Sequence, residues 1–489
     1  MKRLASRTLA QLARALAYGA AGMLAAALAG FVWFANDQPE LAVWHTAKLD
    51  EEFTERSKLQ SFEEYLALEE RLFVQLEERV YARVEPADRQ PINRFHRGSL
   101  SDPGRWPRDW NRSYELPASA PRAGVLLLHG MSDSPYSLRS EAERLNAAGA
   151  YVVGLRIPGH GTAPVGLTTA RWQDMAAAVR LAMRHLRERA GDAPLFLVGY
   201  SNGGALSVHY ALSALEDGAL PAPSGLVLIS PEIGIAPVAA LAVWQKRIGR
   251  LLGLEKLAWS SVLPEYDPFK YQSFAVNAGE QAHRLTAEIQ AKLTALGESG
   301  ALARFPRVLA FQSGVDATVS TAAVIEGLMS RLPAAGHELV LFDLNRRSEV
   351  EHLLKHDPRP ELRGLLAGRD LPFTLCVITN ENEASSHVVL ARKPTGRSEA
   401  SQTPLELAWP DQTFSLAHVA LPFSAADPLY GDGSGEPSPG VRLGRLALRG
   451  ERGVLQVSAD EMLRLHWNPF YAYLEQRMVE FVGLADARP

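Results

Sequence analysis

Cysteine is nearly absent: Cys376 is the single one in 489 residues, so no intrachain disulfide, Cys-rich zinc site or CxxC redox pair can form. An excess of charge is also missing. Lys and Arg total 51 against 55 Asp and Glu, a net charge of −4, which excludes a phosphate-binding surface driven by counterion release and makes nucleic acid an unexpected partner. There is no HExxH, no Walker A loop and no run of His and carboxylates at ligand spacing, so neither metal nor cofactor is expected. Gly431-Asp432-Gly433-Ser434-Gly435 follows no clear strand and reads as a loop. With no internal repeat, and with 47% hydrophobic and 22% charged residues, the chain belongs among ordinary folded proteins.

Charge is locally absent from Ala15 to Ala35, twenty-one residues that at about 1.5 Å each match a bilayer core of about 30 Å. Lys2, Arg3, Arg7 and Arg14 precede the run and Asp37 and Glu40 follow it, so the positive-inside bias predicts a cytoplasmic N-terminus and an exported remainder, periplasmic or extracellular. A cleaved signal is the competing reading. Its apolar region is usually about 7–15 residues, shorter than this one, so residues 15–35 are expected to be a transmembrane signal anchor and 1–14 its cytoplasmic basic segment.

Residues 36–121 form an expected helical and irregular arm. Within it, Leu59, Phe62, Leu66, Phe73, Leu76 and Val80 fall on one face of an amphipathic helix over Leu49–Ala82. Then short apolar runs begin. Val125–Leu128, Tyr151–Leu155, Leu195–Val198, Leu226–Ile229, Val308–Phe311 and Leu339–Phe342 are separated by helix-like stretches at 137–148, 171–190 and 203–216, which predicts an α/β fold with a mostly parallel sheet covered on both faces. Residues 232–303 are a long, largely helical insertion where a cap would sit. Phe373–Thr379 and His387–Arg392 read as a strand pair, 395–404 and 431–440 as loops, and Glu461–Val482 as a closing helix interrupted at Pro469.

Gly199-Tyr200-Ser201-Asn202-Gly203 joins a strand to a helix at once. A serine on such a sharp turn needs small neighbours, here Gly199 and Gly203, and its hydroxyl stands clear of the sheet beside a helix N-terminus. If Ser201 is a nucleophile for acyl transfer, backbone donors must meet the developing oxyanion. Asn202 and Met131, the latter in His129-Gly130-Met131 after an earlier strand, are the expected donors. His129 is expected to be hydrogen-bonded within its turn. Asp316, in Gly314-Val315-Asp316-Ala317-Thr318-Val319 after the Val308 strand, is placed to orient an imidazole. Of the histidines that follow it, His337 precedes its strand, and His352 and His356 read as solvated. His418, in an apolar stretch broken by Pro422, is the expected base, with His387 and His352 as alternatives.

Taken together, HGM after a strand, Arg156–Pro164 (RIPGHGTAP), Gly199–Gly204 (GYSNGG) and Gly314–Val319 (GVDATV) resemble the α/β-hydrolases, in particular the monoacylglycerol lipase and carboxylesterase subgroup. The resemblance covers about residues 122–345. It implies an α/β-hydrolase fold, with residues 122–231 and 304–489 as the two parts of the core and 232–303 as a helical cap. It also implies a Ser/Asp/His triad, with Ser201 and Asp316 on the matching motifs, and no cofactor. His160 matches a loop the family uses structurally. The departure is that about 70 residues intervene between Leu344 and His418, where the family's histidine follows the last strand closely. Ile233, Ile235, Val238, Leu241, Val243, Trp244, Ile248, Leu251 and Leu252 are expected either to line an apolar acyl or lipid pocket or to form the buried side of cap helices. The reading is a membrane-anchored hydrolase of small carboxylic or lipid esters. A peptidase or amidase of the same fold, and a non-catalytic tethered binding protein, are the rival readings.

Overall fold

The computed structural model describes residues 11, 14–23, 25–26, 29–30, 39–234, 255–347, 353–354, 357–368, 370–446, 448–451 and 454–485. Within the apolar run 15–35 the described residues are helical and exposed; the rest of that run lies outside the described residues. Among the described residues no helix is long and apolar enough to cross a membrane.

The apolar runs become β2 (Ala123–Leu128), β3 (Ala150–Leu155), β4 (Leu195–Tyr200) and β5 (Gly225–Ile229), with every residue of each buried, as strands covered on both faces require. Alternation along them divides two cores. Leu126, Leu128, Leu197 and Leu228 join one cluster, and Val125, Leu127, Val198 and Ile229 the other, because successive side chains point to opposite faces. The helices Trp172–Ala190 and Asn202–Glu216 cover the first face. Helices Arg139–Ala147 and Tyr471–Val482 cover the second.

Among the described residues the sheet has ten strands in the order β1-β3-β2-β4-β5-β8-β9-β10-β11-β12. In it β1 (Tyr114–Leu116) runs antiparallel to β3, while β8 (Arg307–Ser313), β9 (Glu338–Phe342) and β10 (Thr374–Asn380) extend the parallel series. The expected strand pair forms: β11 (His387–Lys393) is antiparallel to β10, with Ile378 opposite Leu390. The loop expected over 395–404 needs correction. Ser401–Ala408 is a further antiparallel strand, β12; it is an exposed edge strand holding Pro404, so it lacks the apolar alternation of a half-buried strand, and edges tolerate proline.

The insertion also differs from a purely helical cap. Its described part contains a small antiparallel pair, β6 (Trp259–Ser261) and β7 (Phe274–Ala275). The helix Val276–Glu298 that follows sends Leu285, Ile289, Leu293 and Leu296 into the core beneath the sheet. Ile233 is buried in that same core. Ile235, Val238, Leu241, Val243, Trp244, Ile248, Leu251 and Leu252 lie outside the described residues.

In the arm, the amphipathic helix spans Phe62–Arg79, started by the Ser61 hydroxyl, which accepts from Glu64 N. Its docking is ionic as well as apolar. The fully buried Arg156 guanidinium forks onto Glu52 at 3.0 Å and meets Glu69 at 2.9 Å, while Tyr65 Oη donates to the Arg156 carbonyl at 2.6 Å. A buried guanidinium is tolerable only when its charge and donors are met in this way.

Candidate active site

Ser201 stands between β4 and the helix Asn202–Glu216 with φ 53° and ψ −116°, a left-handed conformation that side chains other than glycine seldom adopt. Its neighbours make the turn possible. A Cβ at Gly199 would overlap the Gly203 carbonyl oxygen, and one at Gly203 would overlap the Leu128 carbonyl oxygen. The backbone is tied on both sides: Ser201 N donates to Ile229 O at 2.9 Å, and Glu232 N donates to Ser201 O at 3.0 Å. The residue is 8% exposed.

The two expected oxyanion donors have a shared property. Among the described residues neither Met131 N nor Asn202 N has a hydrogen-bond acceptor; Asn202 opens its helix, where amides lack intrahelical partners. The loop bearing Met131 is held firmly. Ser132, next to it, has φ 64°, its carbonyl accepts from Tyr271 N at 2.8 Å, and Asp133 pairs with Lys270 at 2.8 Å. His129 Nε2 accepts from Ile157 N at 3.0 Å, so its Nδ1 carries the proton and donates to Gly130 O at 2.8 Å. Burial drives that imidazole well below its ordinary range, leaving it neutral and structural, as expected. His160 is likewise buried, pushed down to about 4 by burial, with Nδ1 against Pro158 O.

Asp316 follows β8 and is fully engaged. Oδ1 accepts from Thr318 N at 2.8 Å and Val319 N at 2.9 Å; Oδ2 accepts from Gln312 Nε2 at 3.0 Å and His418 Nδ1 at 2.8 Å. Burial would raise this carboxyl, but the His418 bond and the two backbone amides outweigh it and hold the group below the usual carboxylate range. His418 starts a short helical turn, His418–Ala420. It is buried with its ring 5.3 Å from that of Tyr200, the residue before Ser201. The loop carrying it is fixed where Ser313 Oγ, at the end of β8, donates to Leu416 O at 2.8 Å. A cavity of about 890 Å³ adjoins this pair, lined among others by Asp316, Thr318, Phe414, His418 and Arg464.

The other imidazoles are elsewhere. His387 is exposed at the start of β11, three strands from β8. His337 is buried at the opposite end of the sheet, its Nδ1 accepting from Val308 N. His352 and His356 lie outside the described residues. Cys376 is buried in β10, its thiol pushed up to about 12 by burial, so it is no nucleophile. Among the described residues no group of His, Cys, Asp and Glu is placed to hold a metal ion. Gln312, Ser313, Lys270 and Tyr271, which hold the site's parts in place, escaped the sequence reading: each acts through a partner distant in sequence or on an unremarkable turn, leaving no motif.

Residues 119–346 match the family described as serine aminopeptidase, S33. The matched segment, a little under half of the chain, is similar to the α/β-hydrolases of the serine hydrolase class. The chain is 29% identical over 170 residues to a thermostable monoacylglycerol lipase of Bacillus sp. (strain H-257), a match covering 35% of the chain and 64% of that relative's length. Among solved structures, one reported for LipS and LipT, two metagenome-derived lipolytic enzymes, has a TM-score of 0.38 at 23% identity, covering 52% of this chain and 96% of the other. A monoacylglycerol lipase of Paleococcus ferrophilus has a TM-score of 0.35 at 18% identity, covering 47% and 88%.

Proposed function

We propose that this hydrolase cleaves carboxylic esters through Ser201, His418 and Asp316. One observation carries the reading: a buried carboxylate 2.8 Å from His418 Nδ1, the imidazole ring lying 5.3 Å from that of Tyr200, which immediately precedes the serine on the strained strand-to-helix turn. With Nδ1 donating to Asp316, the other ring nitrogen is left to take the Ser201 proton as the hydroxyl attacks the ester carbonyl. The amides of Met131 and Asn202 receive the oxyanion. His418 then protonates the leaving alcohol and activates the water that hydrolyses the acyl-enzyme. The lipase relative supports an ester with an apolar acyl chain. The uncharged run 15–35 supports a single-pass anchor with the catalytic domain exported.

The test is covalent and catalytic. A fluorophosphonate probe should label the wild type at Ser201, and Ser201→Ala should abolish both labelling and turnover of a nitrophenyl butyrate. Persisting turnover would remove Ser201 from the mechanism. Because His387 and His352 compete for the base, His418→Ala should lose roughly 10³-fold or more in kcat while His387→Ala and His352→Ala stay within about twofold; the reverse pattern reassigns the base. The family description favours one second reading, an aminopeptidase. Matched butyryl ester and aminoacyl anilide substrates separate the two, with faster anilide cleavage favouring the peptidase. For the anchor, resistance to carbonate extraction is expected, and release by carbonate would overturn it.

A further inference from the structure

The cavity beside His418 has a neighbour. A second one, of about 590 Å³, shares Gly314, Thr321, Pro358 and Glu361 with it, so the two meet along these residues. The second lies between the helices Thr321–Gly327 and Arg359–Ala367 and is lined by Ala322, Ile325, Leu362, Gly364 and Leu365. Ile325 and Leu362 are side chains of the main core that turn an edge toward it. Its polar groups ask for nothing. Thr321 Oγ1 donates to Ser313 O at 2.9 Å, Glu326 and Glu361 are exposed to solvent, and none of the lining side chains has a buried polar atom without a partner among the described residues. Such a cleft offers an occupant apolar contact. Its place relative to the chemistry is equally informative. Asp316 and His418 line the first cavity, whereas the expected oxyanion donors Met131 and Asn202 do not, so both cavities lie on the imidazole side of the serine. In acyl transfer the imidazole faces the leaving oxygen, to which it returns the proton.

We propose that the two cavities together form the subsite for the alcohol part of the ester, and that this alcohol is a long apolar one. The proposal rests on Ser201 and His418 being the nucleophile and base, and adds which part of the ester the cleft takes. A polyol would set its hydroxyls against Ile325, Leu362 and Leu365, which offer no acceptor, at a desolvation cost. An alkyl chain has no such cost and gains with every methylene taken out of water.

The experiment varies the alcohol at fixed acyl group, with ethyl, butyl, hexyl and octyl butyrate below their aggregation limits. At roughly threefold per buried methylene, octyl butyrate should exceed ethyl butyrate in kcat/KM by at least about thirtyfold. A Cβ at Gly364 meets no heavy atom within 4 Å, so a large side chain there can fill the cleft without displacing its walls. Gly364→Phe should cut the octyl-to-ethyl ratio about tenfold or more and leave ethyl butyrate within about twofold, while Gly364→Ala keeps the ratio. Ala322→Phe repeats the block from the facing helix, should Gly364→Phe fail to fold. Ethyl octanoate against ethyl butyrate is the acyl-side control, and its ratio should not respond to either block. A flat alcohol series, an octyl preference that survives both blocks, or a loss confined to the acyl-side ratio overturns the proposal. Binding is read without turnover as well: 1-octanol should raise Tm of Ser201→Ala, and not of the same variant carrying Gly364→Phe. Failure of the nucleophile assignment therefore shows as turnover persisting in Ser201→Ala, and failure of the subsite as no octanol shift.

Discussion

Ser201 sits at φ 53°, a conformation costing a non-glycine residue about 1–3 kcal/mol. If that strain serves catalysis, relieving it should stabilise the fold while destroying activity. Ser201→Gly is therefore expected to melt higher than Ser201→Ala, by about 1 kcal/mol in unfolding free energy, with neither variant turning over ester; denaturant titration of the two compares them directly, and equal stabilities would show the turn to be unstrained. Gly203→Ala should act in the opposite sense. Its Cβ would overlap backbone at Leu128, which no rotamer change can relieve, so a loss of about 2–3 kcal/mol is expected. Ser201, Gly203 and Asp316 were legible because each is fixed by a strand ending and a short turn, information carried by adjacent residues. His418 was legible only by elimination among histidines. What brings it to Asp316 is a bond from Ser313 to Leu416, a contact across more than a hundred residues of sequence that leaves no local pattern.

At the scale of elements, the segment from Glu265 to Ser273 behaves as a strap on the loop bearing Met131. Tyr271 N holds Ser132 O, Lys270 holds Asp133, and Phe269 stacks 4.3 Å from Tyr136. If the strap fixes the Met131 amide, loosening it should weaken binding of the oxyanion more than that of the ground-state ester. Lys270→Met is expected to lower kcat about tenfold with KM within about twofold, and Lys270→Arg to restore most of the loss. A change confined to KM would place Lys270 in ground-state binding instead. The alternating strands and helices that frame this loop were read correctly from period and apolarity, since continuous buried strands leave an unmistakable run. The strap was not, because its residues are a mixture of charged, aromatic and proline positions whose order comes from partners in other elements. β12 escaped for a related reason: an exposed edge strand has no buried face to impose alternation.

Across the whole molecule, the arm connects to the site through a chain of polar contacts. His45 Nδ1 accepts from Ala42 N and its Nε2 donates to Ser273 Oγ, both at 3.0 Å, and Ser273 Oγ donates in turn to Leu263 O, so the residues just after the apolar run are tied to the strap. Burial pushes His45 down to about 4 from its ordinary 6.5, and the neutral ring is required, because a protonated Nδ1 cannot accept. The sign follows from proton binding. Between about pH 6.5 and 4 the unfolded chain binds a proton that the folded His45 refuses, so its contribution is complete above 6.5 and is lost as pH falls toward 4, on the order of 3 kcal/mol at most. Glu265 in the strap, raised to about 7 by burial, runs the other way: its contribution is present below the ordinary carboxyl range and fades as pH rises through 7. Total stability against pH therefore mixes opposing terms, and the useful quantity is a difference. The unfolding free energy of the wild type minus that of His45→Asn, measured by denaturant titration from pH 8 to 4, should be constant above about 6.5 and shrink below it. A difference that stays flat across that range would mean the arm is held without the imidazole, by contacts such as the Arg156 ion pairs and the apolar face of the helix Phe62–Arg79.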